Sequence, residues 1–110
     1  MTVTATSDTT GIATVINVST GEVVTQAVGG PALCGQDAEW IVEDFLAGGS
    51  QVPLADFGTV TFTDAQATTA AGAVLGPTDP SAHILDILLD GTVYTETSAS
   101  AETVTVRYTQ

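Results

Sequence analysis

Along most of this chain apolar and small polar residues alternate with a period of two, the pattern of strands that bury one face and wet the other. The alternation starts at once in Val3-Thr4-Ala5-Thr6 and returns over residues 12–18. Ser19-Thr20-Gly21-Glu22 carries turn chemistry and leads into a third run, residues 23–28, so the second and third runs are expected to pair as a hairpin. Gly29-Gly30-Pro31 ends it. After a loop through Cys34 and Gly35 comes Ala38-Glu39-Trp40-Ile41-Val42-Glu43-Asp44-Phe45, whose aromatic and β-branched content predicts a strand despite its three acids. Alternation there puts Glu39, Ile41 and Glu43 on one face and Trp40, Val42 and Asp44 on the other, with Trp40 and Val42 the core contributors.

Gly48-Gly49-Ser50 and Pro53 interrupt the pattern before residues 58–63 resume it. Asp64 has the chemistry of a helix cap, but Thr68-Thr69 and Gly72 do not sustain a helix, so residues 64–80 are expected to be mostly loop. Residues 84–89 then run into Asp90-Gly91, a strong two-residue hairpin signal, and return along residues 92–96. The last strand is expected over residues 104–108. Seven or eight short strands with turns between them predict an all-β, antiparallel β-sandwich of the jelly-roll or concanavalin-like type.

Composition narrows the function. At 110 residues the chain has room for one domain and a modest core, and with six aromatic residues that core must be built mainly from Val, Ile, Leu and Ala. Thirteen acids face a single base, Arg107, for a formal net charge of −12. Such a surface repels phosphate backbones and anionic lipid, which argues against nucleic acid and against a membrane as partners. Its self-repulsion fades as carboxylates take up protons toward about pH 3 to 4, which favours an acidic working medium. No stretch approaches the roughly 18 apolar residues that span a bilayer, and the opening residues carry neither the basic nor the apolar region of a signal peptide.

Most candidate chemistry has an ordinary structural explanation. Asp79, Ser81 and His83 supply triad residue types, but they lie within five positions on a Pro-flanked loop, whereas triad members converge from separate elements. One His and one Cys cannot close a zinc site, and no Asp-x-Asp-x-Asp-Gly loop is present for calcium, so no metal and no cofactor is expected. Asp56, ahead of Phe57 and Gly58, reads as a turn residue. Asn17-Val18-Ser19 is a glycosylation sequon.

At residues 38–45 the chain resembles the glutamic peptidases, the eqolisin family. The likeness continues through Ala55-Asp56-Phe57-Gly58-Thr59-Val60-Thr61-Phe62-Thr63, the Asp90-Gly91 hairpin and Val104-Thr105-Val106-Arg107-Tyr108, and includes the opening Val3-Thr4-Ala5-Thr6. It spans nearly all of these residues but only the second half of a family domain. Residues 1–110 are therefore expected to be the C-terminal part of one glutamic peptidase sandwich, truncated on its N-terminal side.

The resemblance implies an acid-acting, extracellular endopeptidase that cuts polypeptides with a Glu–Gln pair. The glutamate of the Ala-Glu-Trp motif falls on Glu39, implied as the general base, with a glutamine amide stabilising the oxyanion. That glutamine belongs to a Cys-containing segment that nothing here matches, so none of Gln26, Gln36, Gln51, Gln66 or Gln110 takes the role. Cys34 is then the orphan of a bridge whose other half lies in the same segment. Glu43 shares the face of Glu39, about 7 Å along a strand, and is assigned no catalytic role. Alone, the chain is expected to be inactive, and to recruit either the missing half or further copies of itself to cover its open edges. The competing reading is a non-catalytic β-sandwich module that kept the scaffold for binding or structure.

Overall fold

The computed structural model describes residues 1–110 and contains no helix; every regular element is a strand, and every strand pair is antiparallel. Residues Met1–Asp37 and Ala38–Gln110 form two units.

The first unit is a three-stranded meander of β1 (Thr2–Ala5), β2 (Thr10–Ile16) and β3 (Val23–Gly29), in that order across the sheet. Its register runs from Thr2 opposite Thr14 to Ala5 opposite Gly11, and from Thr10 opposite Gly29 to Ile16 opposite Val23, so the expected hairpin forms. Both connections are tied by short polar side chains. At the first, the Thr6 and Ser7 hydroxyls pair with Thr10 Oγ1 at 2.8 and 2.7 Å. At the second, the Asn17 backbone exchanges hydrogen bonds with Glu22 and Gly21 while its side chain caps the turn. β3 is exposed at all seven positions.

The second unit holds the core. Its elements are β4 (Leu46–Ala47), β5 (Ser50–Gln51), β6 (Thr59–Phe62), β7 (Ala67–Thr68), β8 (Val74–Leu75), β9 (Leu88–Leu89), β10 (Thr92–Val93), β11 (Thr95–Ala99) and β12 (Val104–Tyr108). The central sheet has the order β11-β12-β6, with Val104 opposite Phe62 and Val106 opposite Val60. Alternation along β12 decides what is buried: Val104 and Val106 turn inward and, with Ala65, are the buried apolar residues, against which Trp40, Val42, Phe57 and Phe62 pack. The next residue, Arg107, turns outward, directly opposite Glu96, and pairs with its carboxylate. Both partners are more than half exposed, so this ion pair stabilises little. Tyr108 stands edge-on to Phe57 at 5.8 Å between ring centroids, a favourable aromatic geometry.

Several sequence expectations change in the structure. Residues 84–89 form a ladder only at β9, and residues 92–96 split at Tyr94 because β10 pairs with β9 whereas β11 pairs with β12. The stretch before β9 is held by hydroxyls instead: Thr95 Oγ1 accepts from the Ile87 N–H at 2.8 Å, and Thr97 Oγ1 donates to the Leu85 carbonyl at 3.2 Å. The β9–β10 turn is the expected one, since Asp90 and Gly91 both take positive φ, 48° and 80°, as a type I′ turn demands. Residues 64–80 are mostly loop, as expected, and within them β7 and β8 form a minimal ladder closed through Thr69. Gly76 lies so close to a neighbouring segment that a Cβ there would sit 2.3 Å from the Ala101 carbonyl oxygen.

Candidate active site

Residues 38–45 do not form the expected strand. The segment takes part in no backbone ladder; the nearest pairing is the β4–β5 hairpin just after it, where the Val52 N–H donates to the Phe45 carbonyl at 3.1 Å. A ladder requires a neighbouring strand in register, and the strands of this unit pair elsewhere. The expected two-sidedness survives without it. Trp40, Val42 and Asp44 are half-buried, and Trp40 and Val42 pack on the Val104–Val106 core; Glu39, Ile41 and Glu43 are exposed. Trp40 is thus the core anchor its alternation implies.

This arrangement fixes what Glu39 can do. Its neighbour Trp40 is tethered to packed apolar side chains, so the backbone carrying the carboxylate is held from behind while the carboxylate itself stays open to water and ligands. It lies neither in an apolar interior nor under another element of its unit. Glu43 emerges on the same exposed side. An apolar groove of about 240 Å³ runs between residues 42–45 and residues 52–57; Glu43 borders it and Glu39 does not.

The remaining candidates fall away on geometry. Ser81 donates both its hydroxyl (2.6 Å) and its backbone N–H (2.9 Å) to Asp79 Oδ1, a local turn in which His83 makes no hydrogen bond. The Ser81 hydroxyl, followed by the Ser81 N–H, holds the Asp79 carboxyl below its ordinary value of 3.8. Asp56 Oδ1 accepts from the Gly58 N–H at 2.9 Å and is the expected turn residue. Three glutamine amides have local partners: Gln26 on the Ala27 carbonyl, Gln66 on Glu102 and Gln110 on the Val93 carbonyl. Cys34 is exposed and unpaired. No helix is long and apolar enough to cross a membrane.

One residue stands out that alternation alone did not flag. Asp44 turns toward the interior, and its Oδ2 is buried without a hydrogen-bond partner. Its position on the Trp40–Val42 side was visible in the period of two, but the lack of a partner depends on what surrounds it.

A family model described as the Peptidase A4 family matches residues 1–108. Aspergillopepsin-2 of Aspergillus niger is 52% identical over 111 residues, covering 98% of this chain and 38% of the relative. Scytalidopepsin B of Scytalidium lignicola is 36% identical over 118 residues, covering 98% of this chain and 44% of the relative. The chain therefore spans about two-fifths of the length of these relatives. Among solved structures, aspergilloglutamic peptidase from Aspergillus niger superposes with a TM-score of 0.88 at 51% identity, over 98% of this chain and 64% of that one. Scytalido-glutamic peptidase with a peptide-based transition state analog gives 0.85 at 34% identity, over 97% and 56%. These likenesses agree with the all-β sandwich class read from the sequence.

Proposed function

The chain belongs to the peptidase A4 family, and on that premise we propose that it carries the carboxylate half of an acid-acting glutamic endopeptidase site, with Glu39 as general base. The observation that supports this most is the presentation of Glu39: an open carboxylate on a segment anchored from behind by Trp40 and Val42. In the proposed reaction the carboxylate takes a proton from water as that water attacks the scissile carbonyl, and the carboxyl then returns a proton to the departing amine. An amide donor stabilises the oxyanion of the tetrahedral intermediate. No glutamine of this chain is assigned that role, so activity requires polypeptide beyond the residues described.

The surface supports the same reading. The edge of β3 is unpaired, and apolar side chains such as Val15, Ile16 and Val24 are each more than half exposed. Further peptidase polypeptide, or a second copy of this chain, is the cover such a surface calls for. A net charge of −12 suits an acidic, extracellular medium, where protonation of carboxylates relieves repulsion.

The test is a chimera in which residues 1–108 replace the aligned stretch of the Aspergillus niger relative, assayed for protein cleavage near pH 3. Glu39→Gln keeps shape and removes the base, so kcat is expected to fall by about 10²- to 10⁴-fold with KM little changed. Cleavage that survives this substitution overturns the assignment. Peptide binding by the unsubstituted chimera without cleavage points to the non-catalytic module instead.

A further inference from the structure

Asn17 is the sole asparagine of the chain, and it opens the sequence Asn17-Val18-Ser19 at the tip of the β2–β3 hairpin. All three residues are exposed, Val18 to 94%. The Asn17 side chain has a defined conformation: Oδ1 accepts from the Ser19 N–H at 3.0 Å and from the Thr20 N–H at 3.3 Å. With the carbonyl oxygen turned back onto the turn, Nδ2 faces away from the backbone and makes no hydrogen bond within the chain. The Ser19 hydroxyl is equally unengaged. The turn is closed locally by the Asn17 and Gly21 N–H groups on the Glu22 and Asn17 carbonyls, both at 2.8 Å, so a nascent chain needs no distant contact to form it.

We propose that Asn17 is an N-glycosylation acceptor, modified by an oligosaccharide delivered from a pyrophosphate-linked lipid donor as the chain enters a eukaryotic secretory pathway. The proposal rests on the extracellular reading given above. In the step, the Nδ2 lone pair attacks the anomeric carbon of the first sugar and an N–C bond forms. The bond from that carbon to the pyrophosphate oxygen breaks, the lipid pyrophosphate departs, and one Nδ2 proton passes to the transferase. The Oδ1 hydrogen bonds favour this chemistry by fixing the carboxamide with its nitrogen outward. They engage the oxygen only, so the turn persists after Nδ2 is substituted. The exposure of Val18 gives the attached sugar a clear exit into solvent.

The experiment imposes export, so that its outcome is separate from whether the natural protein is secreted. The full 110-residue chain behind a cleavable signal peptide is translated with endoplasmic-reticulum microsomes, and the protease-protected fraction is analysed by intact mass before and after peptide-N-glycosidase. The expected result is a glycan mass on most protected molecules, removed by the enzyme with conversion of the acceptor amide to a carboxylate. Ser19→Ala, which leaves the Oδ1 hydrogen bonds to backbone N–H groups in place, is expected to lose the glycan; Ser19→Thr is expected to keep it. A protected wild-type fraction that is mostly unmodified, or a glycan that persists in Ser19→Ala, overturns the proposal. Because the readout is taken as the chain enters the lumen, a variant that folds poorly is still scored.

Discussion

Removing the Thr95 hydroxyl tests whether side chains, rather than a ladder, secure the segment before β9. Thr95 is 2% exposed, the largest fully buried side chain of the protein. Its Oγ1 accepts from the Ile87 N–H at 2.8 Å and donates to Asp86 Oδ1 at 3.2 Å, while the Ile87 carbonyl accepts from the Tyr94 N–H at 2.8 Å. Thr95→Val preserves volume and branching but leaves the Ile87 N–H facing a methyl group. An amide stranded in this way costs about 1–3 kcal/mol. The Ile87 end of this bond is only partly shielded, so the lower half of that range, about 1–2 kcal/mol, is the expectation. Thr95→Ser retains the hydroxyl and loses one methyl, at a cost of about 1 kcal/mol. Two measurements separate these cases. In urea unfolding, the valine variant should lose the larger share of stability. In native-state hydrogen exchange, the Ile87 amide should exchange about tenfold faster in the valine variant, the equivalent of about 1.4 kcal/mol, and little faster in the serine variant. If Thr95→Val matches the parent in both assays, the Thr95 hydroxyl is not what holds residues 86–87 in the absence of a ladder.

Two further outcomes follow from the geometry. Gly76→Ala places a Cβ 2.3 Å from the Ala101 carbonyl oxygen, a backbone atom with little room to retreat; the expected loss of about 1–3 kcal/mol shows as a lower urea midpoint with an unchanged slope, and a neutral substitution refutes the close approach. Asp79 is held below 3.8 by the Ser81 hydroxyl and N–H, so the turn's contribution is fully present above the ordinary value and is lost as pH falls through the depressed one. Carboxyl titration by NMR should place the Asp79 midpoint below 3.8, and Ser81→Ala should move it back up; an unmoved midpoint shows that the hydroxyl is not the cause.

The functional expectations were legible to different degrees. The face of Glu39 was readable because the side-chain period of an extended chain is set by backbone geometry alone, and Trp40 and Val42 have only one apolar side to find. Its identity as a candidate base came from a resemblance over residues 38–45, not from alternation, which an unremarkable surface glutamate would satisfy equally well. Asp44 illustrates the reverse: its side was readable, but its stranded Oδ2 depends on which groups surround it. The sequon at residues 17–19 was visible as a motif, while the orientation of its amide emerged only with the hydrogen bonds to Ser19 and Thr20.

By itself, the sequence determined the all-β class and the β2–β3 and β9–β10 hairpins, because each depends on interactions between residues near in the chain. Turn chemistry acts over two to four positions, and alternation acts over one strand. Only the tertiary structure decided which extended segments become ladders. Residues 38–45 and 84–87 have strand-like sequences yet no partner in register, since pairing requires a second segment distant in sequence to present its N–H and C=O groups at the right spacing. The tertiary structure likewise decided that Thr95 would be buried, because its neighbours come from residues 86–87 on one side and Tyr108 opposite it on the next strand.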